Sequence, residues 1–222
     1  PYTTLFRSAS PSKPSDTNNC AVRSAIHNNN EMKRLTISIF LLCALCSLSH
    51  AQSLKDIFFK MPQAVCPALS EYNRLELIDN QKNNKPMQTR NLFKTFSKMD
   101  ALTDDYAHLI VSNSSEKVLK LLKSKDAAPI VMVISTVHAD SIPDASISFY
   151  TTDWEPLDAT RFMNAPTSED FRSISINPDT NELTVTTLHP LTLQFEGVTP
   201  SEAPQPVTNT YRWKEEECRF VP

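Results

Sequence analysis

The stretch APIVMVISTV, Ala128–Val137, decides the fold. It is a continuous apolar run of strand length, rich in β-branched residues, and reads as a central strand. Alternating segments surround it. On the N-terminal side, DYAHLIVS and EKVLKLL alternate about the turn NSS, predicting a hairpin with one buried face. On the C-terminal side, the turn-rich HADSIPD leads to ASISFYTT. The following DWEPLDATRFMNAPTSEDF is irregular around Pro156 and Pro166, with room for one helical turn. Two further alternating runs flank NPDTN in RSISINPDTNELTVTTL, LTLQFEGV alternates as well, and VTNTYRWKEEECRF supplies a final strand or pair. Gly197 is the single glycine, so turns of positive φ fall largely to Asn and Asp.

Ahead of this β-rich region the period changes. In SLKDIFFKMP, Leu54, Ile57, Phe58 and Met61 fall at i, i+3, i+4 and i+7 behind the cap-capable Ser53, which predicts a short amphipathic helix. PALSEYNRLELIDNQ continues as a helical or mixed segment, and TRNLFKTFSKMDAL suits helix or extended chain equally. The expected fold class is α+β: short N-terminal helices packed on a mainly antiparallel β-sheet of about six to eight strands.

The first 51 residues read differently. Met32 is followed by Lys33 and Arg34, an apolar run Leu35–Leu48, and the small-residue end Ser49-His50-Ala51. That is the order of a secretory signal, whose apolar part is too short to span a bilayer alone. Cleavage is expected between Ala51 and Gln52. Leu42 before Cys43 and Leu45 before Cys46 do not suit a lipoprotein signal. Residues 1–31 lack apolar periodicity, and PYTTLFRS, residues 1–8, resembles the translated end of a sequencing adapter, so residues 1–31 are expected to be a non-native or untranslated extension. Residues 32–51 would then be the signal peptide and 52–222 a single exported domain, expected in the periplasm, with the cell surface and the extracellular space as the alternatives.

That domain has 171 residues, enough for one sizeable core, with 17 Lys+Arg against 23 Asp+Glu. The acidic balance, without a basic stripe, argues against nucleic acid as a partner, and no second apolar segment approaches a membrane span. Two cysteines remain, Cys66 and Cys218. In an oxidising compartment they form a disulfide candidate, closing a loop that would contribute about 4–5 kcal/mol in the chain-entropy model. No cofactor is expected. Two distant cysteines with the scattered His108, His138 and His189 lack metal-ligand spacing.

Chemistry-bearing residues are sparse. Asp104 and Asp105 precede His108, and His138 precedes Asp140 at the end of the central strand; these five are the candidates for acid–base work in a hydrolase directed at polysaccharide or peptide. FYTTDWEPLD offers Tyr150, Asp153 and Trp154, with Arg161 beyond it, as an aromatic-plus-charge surface for gripping a glycan or an envelope protein. No P-loop, dinucleotide fingerprint, HExxH or EF-hand loop is present in the sequence.

MPQAVCPALSEYNRLELID, LTDDYAHLIVS, FYTTDWEPLD and the late YRW together resemble the secreted Bacteroidales proteins classed as domain of unknown function 3256. The resemblance runs over nearly all of residues 53–222. It implies export and lineage, and no activity, cofactor or catalytic residue comes with it. The reading from sequence is therefore an exported, non-catalytic binding or accessory module, with the hydrolase as the alternative.

Overall fold

The computed structural model describes residues 52–139, 142–164, 171–188 and 205–222. Helix α1 spans Leu54–Phe59, with the Ser53 hydroxyl accepting the Asp56 N–H at its start. Helix α2 spans Glu71–Lys82 and opens with a capping box. There the Ser70 side chain accepts the Asn73 N–H while Asn73 reaches back to the Ser70 N–H.

Eleven described strands follow: β1 Gln88–Arg90, β2 Phe96–Leu102, β3 Tyr106–Ser112, β4 Ser115–Leu122, β5 Ile130–Ala139, β6 Ile142–Thr151, β7 Pro156–Leu157, β8 Phe171–Ile176, β9 Glu182–Leu188, β10 Val207–Lys214 and β11 Arg219–Val221. The first seven form an antiparallel meander in chain order, and the last four form a second sheet in the order β11-β10-β9-β8. The mainly antiparallel expectation holds; the single sheet does not, since alternation within a strand cannot say which sheet the strand will join. The ambiguous TRNLFKTFSKMDAL proves extended, and VTNTYRWKEEECRF proves to be a strand pair. LTLQFEGV lies outside the described residues. Among the described residues no helix is long and apolar enough to cross a membrane.

The unbroken apolar run of β5 has a direct cause. It pairs with β4 over Ile130–Val137 and with β6 along its whole length, and in its first half successive side chains enter two different cores. Val131 and Val133 join a cluster containing Leu54, Ile57 and Phe58 of α1, Leu77 and Ile78 of α2, and the strand residues Met99, Leu109 and Leu119. Ile130, Met132 and Ile134 point the other way, into a cluster with Ile176, Leu183, Val185, Trp213 and Phe220 of the second sheet.

Each cluster is fastened by a tryptophan. The indole N–H of Trp154 donates to the Ile57 carbonyl at 2.9 Å, and that of Trp213 to the Lys123 carbonyl at 2.6 Å. Trp154 stands at φ 68°, in the left-handed region that costs a non-glycine residue roughly 1–2 kcal/mol. Burial of its ring and its hydrogen bond offset that cost. Asn84 and Asn181 take positive φ as the scarcity of glycine leads one to expect; Lys94, Trp154 and Cys218 do so as well.

One charge is buried where the sheets meet. Lys120 is 1% exposed, and its ammonium donates to Asp105 at 2.8 Å and to the Pro178 carbonyl in the β8–β9 turn. Burial by itself would raise the Asp105 carboxyl, but hydrogen bonding and attraction from Lys120, helped by the Thr103 hydroxyl, bring it below the usual carboxylate range.

Two outcomes are expected. A carboxyl lowered in the folded state adds stability above its unfolded pKa, which is lost as pH falls through the folded value. Asp105→Asn should therefore cost about 1–3 kcal/mol at neutral pH: the 42% exposure of the carboxylate screens the pair, but the substitution leaves the buried Lys120 ammonium without its counter-charge. The gap to wild type should close below about pH 4 in urea titrations. Trp154→Phe should cost about 1–3 kcal/mol by leaving the Ile57 carbonyl without its donor, read from the same unfolding curves.

Candidate functional site

The end of β6, β7 and the 3-10 turn Ala159–Arg161 form one wall of an open groove of about 590 Å³. Thr151 organises the bend: its hydroxyl accepts the N–H groups of Asp153 and Glu155, while its carbonyl accepts that of Trp154. This local bonding turns Trp154 inward and leaves Asp153 and Glu155 exposed at the rim. The Asp158 side chain then caps the 3-10 turn through the Thr160 N–H at 3.0 Å. That hydrogen bond, with the one from the Thr160 hydroxyl, holds the Asp158 carboxyl below its ordinary range.

Arg161 follows at the end of the turn, its guanidinium 5.6 Å from the Phe162 ring centre. Pro129 and Ile130 from the start of β5, with Leu157 and Phe162, give the groove its apolar lining, and Cys218 from the β10–β11 turn closes it. The chemical character is mixed: two carboxylates and one guanidinium stand around an apolar floor.

Of the four residues expected to bind ligand, Asp153 and Arg161 line this groove. Trp154 does not, being 6% exposed with its ring in the core. Tyr150 is half-buried and packs against it, ring centres 5.4 Å apart. The expected aromatic stacking surface is therefore replaced by an internal aromatic pair. Glu155, Leu157 and Phe162 escape the sequence reading because they lie in an irregular segment with no period, and Pro129 and Ile130 because their apolar run marks a strand and not a groove.

The five acid–base candidates fall in different surroundings. Asp104 is exposed at the β2–β3 turn, where its carbonyl accepts the Leu54 N–H. Asp105 is engaged by Lys120. His108 and His138, thirty residues apart in sequence, share one carboxylate: Glu116 stands 3.0 Å from the His108 ring and 3.7 Å from that of His138. Asp100 lies 3.8 Å from the other nitrogen of His108. Register explains the meeting, because Glu116 on β4 faces Ile110 of β3 and Thr136 of β5. Asp140 lies outside the described residues. Among the described residues no three His, Cys, Asp or Glu side chains are arranged to hold a metal ion.

The expected disulfide is not formed. Cys66 and Cys218 are both free. Cys66 is buried in the cluster that holds Val131 and Val133, while Cys218 packs against the cluster on the opposite face of β5, so the sheet stands between them. Burial pushes the Cys66 thiol up. The Cys218 sulfur lies 2.7 Å from the Ser124 hydroxyl. Gln52 is half-buried, and Ala51 lies outside the described residues.

The sequence signatures prove to be structural. Asn73 and Arg74 of NRLELID are buried; Asn73 donates to Thr89 and to the Arg90 carbonyl, and Arg74 to the carbonyls of Phe59 and Leu69. The tryptophans of FYTTDW and YRW are the two core pins.

Comparison with known proteins agrees with a signature of fold. No curated protein matches the chain. A solved domain of an uncharacterized protein from Porphyromonas gingivalis W83 is 19% identical and superposes with a TM-score of 0.60. The match covers 77% of this chain and 98% of that one, and shows a shared fold. Residues 46–215 match the family described as Protein of unknown function (DUF3256), and the chain belongs to that family.

Proposed function

We propose that the chain from Gln52 is an exported, non-catalytic binding module whose ligand enters the groove around Asp153, Glu155 and Arg161. The observation that carries this reading is the groove itself, a concavity of about 590 Å³ in which opposite charges converge over an apolar floor. Export is supported by the basic, apolar and small-residue order of Met32–Ala51. The periplasm is the proposed destination.

Burial of Trp154 shifts the ligand class. A glycan site draws on an exposed aromatic face, and here that ring is in the core. Mixed charge beside Pro129, Ile130 and Phe162 suits a short peptide segment, whose side chains present both charge and apolar surface. The four described acid–base candidates support the non-catalytic reading in that none of Asp104, Asp105, His108 and His138 lines the groove, and Asp105 is engaged by Lys120.

Heptapeptides selected by display against the chain from Gln52 should lose at least about tenfold in affinity, or 1.4 kcal/mol, towards Arg161→Glu or Asp153→Lys. Both positions are exposed, so both variants should fold. Equal affinity for the wild-type and charge-reversed chains would overturn the groove as the site. Export has its own test: with translation begun at Met32 in a Gram-negative host, the mass of the periplasmic chain should place Gln52 at its N-terminus.

A further inference from the structure

The turn between β1 and β2 displays apolar side chains to solvent. Leu92 is 50%, Phe93 67% and Phe96 65% exposed, where scattered single residues would be ordinary but three within five positions make a patch. The turn is firmly built. Buried Asn91 accepts the N–H groups of Phe93 and Thr95 on its side-chain oxygen, and its amide nitrogen donates to Ser97 and to the Val111 carbonyl. The Leu92 N–H is fixed separately by the Ala68 carbonyl at 2.9 Å. Lys94 at the tip takes φ 64°.

The segment that carries this knob is basic, with Asp79 and Asp100 pairing Lys82 and Lys98 towards its two ends. Asn80–Met99 contains five Lys or Arg and no Asp or Glu, a local excess hidden within the acidic balance of the domain. Arg90 stands directly opposite Phe96 across the β1–β2 ladder, and Lys98 opposite Gln88 on the same face. Lys98 is paired with Asp100. Arg90 and Lys94 have no carboxylate partner among the described residues and are exposed.

We propose that this turn docks the protein onto an anionic phospholipid surface. Leu92 and Phe93 enter the boundary between headgroups and acyl chains, and Phe96 lies against it. Arg90 and Lys94 meet lipid phosphates. Apolar residues bordered by basic ones are the composition that binds such an interface, through buried apolar area plus attraction to negative headgroups. A second protein copy is disfavoured by the like charges that would face each other across the same patch.

Vesicle flotation tests the proposal with the chain from Gln52, which forms one compact unit containing both described hydrophobic clusters and lacks the apolar run of residues 35–48. The chain should float with phosphatidylethanolamine–phosphatidylglycerol vesicles, more weakly with phosphatidylcholine alone, and less as salt rises. The double variant Leu92→Ser, Phe93→Ser should weaken binding at least tenfold. Lys94→Gln should weaken it roughly fivefold, the effect of one basic residue near such a surface. Failure to float, or equal binding by the double variant, would overturn the proposal. So would a dimer in sedimentation velocity that the double variant abolishes, since the knob would then serve a second copy.

Discussion

Because the first half of β5 is buried on both faces, the seven-stranded sheet carries an apolar cluster on each side. Residues of the helices share a cluster with Val131 and Val133; residues of the second sheet share one with Ile130, Met132 and Ile134. Antiparallel sheets commonly leave one face to water. Here the central strands cannot, and that single constraint accounts for the position of both tryptophans and of the charge at Lys120.

The charge at Lys120 has a different standing from the apolar packing. A buried ion pair rarely adds much net stability, but removing one member leaves the other stranded, so it selects an arrangement by penalising alternatives. Lys120 on β4, Asp105 before β3 and Pro178 between β8 and β9 satisfy one another only when the second sheet sits in its observed position. We therefore regard this contact as a register pin between sheets, in which role Asp105 is not free for acid–base chemistry.

Much of the fold was legible because burial imposes a period. Leu54, Ile57 and Phe58 mark one helical face, and Tyr106–Ser112 alternates because one side is core. What stayed hidden depended on meetings between distant residues or on side-chain bonding to the backbone. Glu116 between two histidines follows from ladder register, and the β1–β2 turn from the bonds of Asn91. Trp154 was misjudged for a related reason: a tryptophan beside charged and turn residues looks exposed, yet a left-handed backbone at that one position swings its ring inside. The cysteines failed the expected pairing because pairing by elimination takes no account of an intervening sheet.

The lengths of the outermost strands carry a last consequence. The meander ends in β1, three residues long, and in β7, two residues long and beginning with Pro156, which has no N–H to offer. A strand added to either terminal strand could pair with only two or three residues, too short a ladder to template a neighbouring chain there. Edge-to-edge polymerisation through β1 or β7 is thereby disfavoured, and a partner approaching along these two strands must engage side chains.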